Sequence, residues 1–445
     1  MSLTANAHYA LVCPRCGASY PDDGKIITCA GCAGDGQSSI LAFTPASAPA
    51  IDPAQDGVRR YTRFLPVNNL DCLRTDLTIT WKSEKFAKRH GLRSLYFTAT
   101  GYAPAKGIQA ASCSFKELEA LVVLNRLRSH GVDMPLVVAS AGNTARAFAY
   151  YGAKLEYPVI IVAPSASRRY LWLPDEPGLY EKSERFVKAI FVDTPGKYLH
   201  ASLLAKHIAQ AMTGRVLAEG GYFNVGRLSG LGICALNYYD LLGSVPDHYV
   251  QAVGSAAGVL AAMRTYDLLQ PGSSKGIVYH LVQNIPYTPL VKAIEERQNV
   301  VSSDMYPNID TVCSPMLTSA DPAYSHPGGL LQEMLAGTKL IGYGVTNQDI
   351  YNLQYEIWST EGVSVLLPAA AAIGGLLQGI KAGTIGRDQV IQVNLTGLGS
   401  IACMADKGFF YVPSALGAQV PEVVSYGGSA FTQWFDQNKG LLCWT

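Results

Sequence analysis

The sequence predicts an α/β protein built on parallel sheets covered by helices on both faces, with a small cysteine module at its amino end. Three observations carry this. From about residue 90 onward, short apolar runs alternate with longer helix-period patterns. The runs end directly in glycine or polar turns, the strand–turn–helix order of parallel sheets. Four cysteines lie in two close pairs before residue 35.

The first element is that cysteine module. Cys13-Pro14-Arg15-Cys16 and Cys29-Ala30-Gly31-Cys32 form two CxxC knuckles separated by 12 residues. Four thiolates so placed suit the tetrahedral geometry of structural zinc, and filling all four positions with cysteine leaves no open coordination site. The same spacing also fits two redox-active dithiols. The segment 42–57 is rich in Ala, Pro and Asp, lacks periodicity and reads as a linker.

Next comes 112–120, Ser-Cys-Ser-Phe-Lys-Glu-Leu-Glu-Ala, which begins a helix. Ser114 is the expected cap, with Glu117 at capping-box spacing. Ala120, Val123, Leu124 and Leu127 then follow helical spacing. Lys116 therefore falls in a first helical turn, where the dipole disfavours a cation; a lysine with weakened proton affinity suits covalent chemistry. A solvated surface lysine fits the spacing as well.

Further strands are expected at 135–139, 157–163, 248–253 and 390–395. After the first, Ser140-Ala141-Gly142-Asn143-Thr144 offers amides and hydroxyls at a helix start, suited to a carboxylate. After the third, Gly254-Ser255-Ala256-Ala257-Gly258 is a small-residue turn whose N–H groups can close around a phosphate. After the last comes Asn394-Leu395-Thr396-Gly397-Leu398-Gly399. Taken singly, each pattern also fits an ordinary turn. The stretch 363–380 is long and uncharged enough to suggest a membrane span. Pro368, Gly374, Gly375 and Gln378 interrupt it, so it reads as a buried strand entering a buried helix.

Composition narrows the function. The 445 residues are 49% hydrophobic and 16% charged, with formal net charge +1 and no run of one sign. No basic stripe for nucleic acid is visible, and no membrane partner is expected. Residues 1–8 lack a basic stretch followed by an apolar core, so a cytoplasmic protein is expected. The scattered cysteines Cys72, Cys113, Cys234, Cys313, Cys403 and Cys443 read as buried small apolar residues.

Taken together, Ser114-Phe115-Lys116, Ser140 to Thr144 and the small-residue phosphate turn resemble the fold type II enzymes that use pyridoxal 5′-phosphate (PLP). The likeness is to the threonine synthase-like family, some of whose members carry an amino-terminal zinc ribbon. It is strongest to the cysteate synthase branch. Gly101-Tyr102, Gly107, Ser112 to Ala120, Leu171-Trp172-Leu173-Pro174, Glu176-Pro177, Asp247-His248-Tyr249, Gln251 to Ser255 and Gln283-Asn284 carry it. Glu117-Leu118, where threonine synthases have Asp-Arg, favours that branch. Ala256, Ala257, Val259 and Tyr170 depart from the usual pattern.

The resemblance implies a tryptophan synthase β-like fold with two doubly wound parallel-sheet domains. It divides the chain into a ribbon at 1–42, a linker at 43–60, a large domain at 61–135 and 225–445, and a small domain at 136–224. It implies that Lys116 bonds the cofactor, Asn143 its ring hydroxyl, Gly254, Ser255, Ala256, Ala257 and Gly258 its phosphate, and Thr396 its ring nitrogen. Ser140, Gly142 and Thr144 would hold the substrate carboxylate, with Lys82, Lys106, Arg168 and Arg227 as candidates for other anionic groups. The implied reaction is a β-replacement on an amino acid by a small nucleophile: O-phospho-L-serine and sulfite giving L-cysteate and phosphate. Threonine synthase chemistry, another nucleophile, or a catalytically silent amino-acid-binding relative are the alternatives. A homodimer is expected.

Overall fold

The computed structural model describes residues 8–35, 38–72, 74–193, 198–301, 311–319, 322–416 and 420–444, with side chains left out at 33–35. Residues 1–7, on which the reading of the amino terminus rests, lie outside them. Two compact units result: Met1–Val122 with Tyr222–Ser400, and Val123–Gly221 with Ile401–Thr445.

The larger unit holds a six-stranded sheet, in the order Lys339–Val345, Val278–Asn284, His248–Ala252, Val390–Leu395, Ser94–Thr100, Thr78–Lys82. All pairings are parallel except the last, where Thr78–Lys82 runs antiparallel at the edge. Period-two alternation sorts the central strands by face. Val250, Ala252, Ile391, Val393 and Leu395 join one apolar core with Ala369 to Ile373 of the helix Leu367–Lys381. The intervening residues are polar. Asn394 Nδ2 donates to Tyr249 Oη at 3.0 Å and to Gln251 Oε1 at 2.9 Å, Tyr266 Oη donates to Gln392, and Gln392 Nε2 donates to Thr98 at 2.9 Å. A buried polar layer survives when most of its polar atoms pair, and these side chains do except at Asn394 Oδ1.

The smaller unit holds a five-stranded parallel sheet, in the order Leu217–Ala218, Leu136–Ala139, Val159–Pro164, Val187–Asp193, Val420–Pro421. Its core joins Ile160, Val162, Ile190 and Val192 to Ala201, Leu204 and Ile208 of the helix Tyr198–Ala211, and to Phe431.

Several expectations change. The segment read as a linker opens with a strand, Ala42–Pro45, that pairs with Tyr9–Val12, and closes with the 3-10 helix Gly57–Phe64. Leu41, just before the strand, and Phe43 within it point to the same side and are both buried. The carboxy-terminal segment groups with the smaller unit rather than with the larger domain expected for it, because Val420 and Phe431 complete that unit's core. In 363–380 the helix forms, but Val365 makes only an isolated bridge, to Leu398. Among the described residues, no helix is long and apolar enough to cross a membrane. Of the scattered cysteines, Cys313 is half-buried and Cys443 exposed.

Candidate active site

In the larger unit, the strand Val390–Leu395 runs into Thr396-Gly397-Leu398, which lies against the segment that carries Lys116. Ser114 bridges Gly397, Phe115 N donates to Thr396 O at 3.0 Å, and Leu398 N donates to Cys113 O at 3.1 Å. The helix Lys116–Ser129 starts from this anchor. The capping box forms differently from the expectation. Glu117 accepts from Ser112 N at 2.6 Å, one turn of chain earlier, while the buried Ser114 hydroxyl makes no side-chain bond.

The small-residue turn meets the same segment. It leads into the helix Ala257–Leu269, whose first amides lack intrahelical acceptors. A Cβ on Gly258 would come 3.0 Å from the Phe115 ring and 2.5 Å from Gln251 Nε2. Only glycine allows this approach, which sets the turn beside the residue preceding Lys116. Two non-glycine residues here adopt left-handed backbone: Ala256 at φ 61° and Cys113 at φ 54°. Each such conformation costs on the order of 1–2 kcal/mol, and strain of this kind collects at functional sites.

Lys116 Nζ lies 4.9 Å from the centroid of the Phe115 ring. It also lies 3.1 Å from Glu119 Oε2, and the Lys116 side chain is 22% exposed against 0% for Glu119. Arg227 Nη1, from the helix Val225–Leu242, is 3.1 Å from Glu119 Oε1. The sequence reading missed Glu119; a carboxylate three residues beyond the lysine, within an otherwise apolar run, was its only signal. Arg227, read as a ligand for an anion, stands instead on a buried carboxylate. His326 packs its ring against Tyr222 and Phe223, at 5.6 and 5.0 Å.

Of the two lysines read as anion ligands, Lys82 has a position fixed by strand register. Lys82 is opposite Tyr96, and Tyr96 opposite Gln392, so Lys82 sits four residues back along the sheet from Thr396. That is roughly 13 Å at strand rise, towards the other end of the sheet. Lys106 Nζ rests over the Trp81 ring at 4.8 Å.

In the smaller unit, Ser140, Gly142, Asn143 and Thr144 follow the strand Leu136–Ala139 and open the helix Asn143–Lys154. Gly142 N donates to Ser140 Oγ at 3.3 Å, and Asn143 Oδ1 accepts from Arg146 Nη2 at 3.3 Å. Arg168, in the same unit, stacks 5.4 Å over Phe191.

The cysteine module brings its four Sγ atoms within 4.8 Å of one another. Cys13–Cys32 and Cys16–Cys29 are 3.8 and 3.6 Å apart. Burial raises the Cys13 thiol, but its hydrogen bonds with Ser39 and nearby amides outweigh it and bring it down to about 6. Burial and the neighbouring sulfurs push Cys32 up to about 12. Thiols crowded in this way are poised to share a cation.

The lysine, the first-turn amides, the glycine approach and the Thr396 segment fit PLP: an amine for its aldehyde, a helix start for its phosphate, and a neutral hydroxyl near its ring. The pyridoxal-phosphate dependent enzyme family matches residues 75–397, and the chain belongs to that family, with its fold type II architecture. Within it the chain is cysteate synthase-like. It is 32% identical over 425 residues to cysteate synthase of Methanosarcina barkeri, covering 94% of this chain and 98% of the relative. Against the Methanosarcina acetivorans enzyme identity is 34%, over 93% and 98%, and against that of Methanoregula boonei 35%, over 88% and 90%. Solved structures share the fold: a PLP-dependent aspartate racemase (TM-score 0.54, 16% identity, 72% of this chain and 89% of that one) and serine racemase from Dictyostelium discoideum (0.53, 14%, 72% and 91%).

Proposed function

We propose that the chain catalyses a PLP-dependent β-replacement in which sulfite displaces phosphate from O-phospho-L-serine to give L-cysteate. The observation that carries this reading is near full-length similarity to cysteate synthases on both sides of the alignment. The lysine, phosphate turn and Thr396 segment gathered in one place support it.

When bound, PLP supplies an electron sink for the α-carbon of an amino acid. The chain's own groups do the rest. Lys116 would hold the cofactor through its ε-amine and would take the substrate's α-proton as general base. Gly254, Ser255, Ala256, Ala257 and Gly258 bind the phosphate with helix-start amides. Thr396 offers an uncharged hydroxyl to the ring nitrogen, leaving it unprotonated, which suits loss of a β-leaving group. Asn143 bonds the ring hydroxyl, and Ser140, Gly142 and Thr144 hold the substrate carboxylate. Cys13, Cys16, Cys29 and Cys32 hold a structural zinc ion. We place the protein in the cytoplasm as a homodimer.

The test is product analysis. Incubation with O-phosphoserine and sulfite yields cysteate and phosphate, while O-phosphohomoserine yields no threonine. Lys116→Ala removes the visible absorption of the lysine-bound cofactor and lowers turnover by at least about 1000-fold, the scale expected when a covalent group that is also the base is lost. Threonine as the only product would overturn the reading.

A further inference from the structure

One turn beyond Lys116, the lysine helix carries a carboxylate with no counterpart in the roles assigned above. Glu119 is fully buried between Leu118 and Ala120, both also buried. Burying a lone carboxylate costs several kcal/mol, so such a group persists only when paired. Here it is paired twice, through one oxygen: Lys116 Nζ donates to Oε2 at 3.1 Å, and Arg227 Nη1 donates to the same oxygen at 3.3 Å while standing 3.1 Å from Oε1. Arg227 alone would neutralise Glu119. The second cation makes the arrangement unequal. With Lys116 protonated the trio carries one net positive charge, and with Lys116 neutral it carries none.

We propose that Glu119 is a positioning residue for the reaction: it holds and orients the protonated amine of Lys116, with Arg227 as its second cationic partner. The idea rests on the reading of Lys116 as the cofactor lysine and base. The proton taken from the substrate's α-carbon becomes a new N–H on Lys116, while the electron pair of the broken C–H bond stays with the substrate, for which the cofactor would supply the electron sink. The positive charge created on the amine then appears beside a carboxylate already in place, with no reorganisation needed. Arg227 matters because an unpaired buried carboxylate would itself compete for that proton. Of the neighbouring charged groups, Glu117 belongs to the same turn but accepts from the Ser112 amide, while Glu119 on the lysine's own helix and Arg227 on the helix packed against it form the trio with Lys116.

The test reads Lys116 directly in cofactor-free protein. Trinitrobenzenesulfonate labels neutral amines, and mass spectrometry of the Lys116 peptide gives the labelling rate against pH. Glu119→Gln removes the acceptor charge and leaves Arg227 beside the amine, so the midpoint falls by about one pH unit and labelling below it accelerates about tenfold. Glu119→Asp recovers part of the shift. Arg227→Met moves the midpoint upward and stands in where Glu119→Gln fails to fold. In cofactor-loaded protein, Glu119→Gln lowers kcat about tenfold or more with KM nearly unchanged, the mark of a group acting after binding. An unmoved midpoint in the folded variants overturns the proposal. If instead Lys116→Ala keeps the absorption of lysine-bound cofactor, the reading of Lys116 itself fails, whatever Glu119 does.

Discussion

At the residue scale, three carboxylate and lysine side chains within four positions have different fates because of where the helix starts. Lys116 is half-buried, while Glu117 and Glu119 turn fully inward. Burial raises the Glu117 carboxyl from its ordinary 4.5 to about 7, against the pull of the Ser112 amide and hydroxyl. A carboxyl with a raised folded value keeps its proton between pH 4.5 and 7, where the unfolded chain has released it. Its favourable share of stability is therefore full below 4.5 and is lost as pH climbs through 7. The loss is on the order of 3 kcal/mol at one pKa unit per 1.4 kcal/mol. Glu117→Gln has no such dependence and still accepts from Ser112. Urea unfolding at pH 5 and pH 8 is thus expected to show Glu117→Gln gaining on the parent protein at the higher pH by an amount of that order. An equal difference at both pH values would mean that Glu117 is not buried in its ionised form.

At the element scale, the site depends on how closely the lysine helix meets the helix Val225–Leu242. Gly230 makes the approach possible: a Cβ there would overlap the Leu118 carbonyl oxygen and lie 2.9 Å from its carbon. The obstacle is backbone, which cannot rotate aside. Gly230→Ala must therefore push the helices apart, at a cost of about 1–3 kcal/mol for an overpacked contact. Arg227 lies one turn before Gly230, and Glu119 follows Leu118, so the same displacement stretches the ion pair between the helices. Thermal unfolding should drop by several degrees, and kcat should fall further than that loss of stability explains. An unchanged melting temperature would show that the crossing is looser than its geometry. Much of this was legible beforehand. The strand 390–395 was read to the residue because Val390 to Leu395 ends at an unmistakable turn. Lys116, the phosphate turn and Thr396 were legible as separate turns, and the fold supplied their meeting through Phe115 and Gly258. Glu119 was not legible, because its meaning lies in Arg227, over a hundred positions along the chain. Lys82 was misjudged for a related reason: sequence shows that a lysine ends a strand, but only the antiparallel register shows at which end of the sheet.

At the scale of the whole molecule, the chain is two compact units, and the cysteine module belongs to one of them. Its strands bury Tyr9, Leu11, Leu41 and Phe43 with Cys13, Cys29 and Cys32 against Val225 and Leu268 of the larger unit's helices. Arg264, on the helix that begins at the phosphate turn, donates to the carbonyls of Leu41, Ile40 and Gly328. Burial lowers its guanidinium to about 10, opposed by the charge of Glu333, and the three carbonyls take up its buried N–H groups. Ser39 ties the module to the same loop, bonding Cys13 Sγ at 3.3 Å and donating to Pro327 O at 3.4 Å. A metal ion on the four thiolates would thus stabilise the acceptors of Arg264, and through them the helix of the phosphate turn. Chelation should act on one unit alone, because multidomain chains unfold in more than one step. In scanning calorimetry, removing zinc is expected to lower the larger unit's transition while leaving the smaller unit's in place, and added zinc should restore it. A loss of about 4 kcal/mol corresponds to roughly 6 °C for a unit of this size. If both transitions move together, the module does not act through Arg264 and its loop; if neither moves, the thiolates hold no metal that the fold depends on.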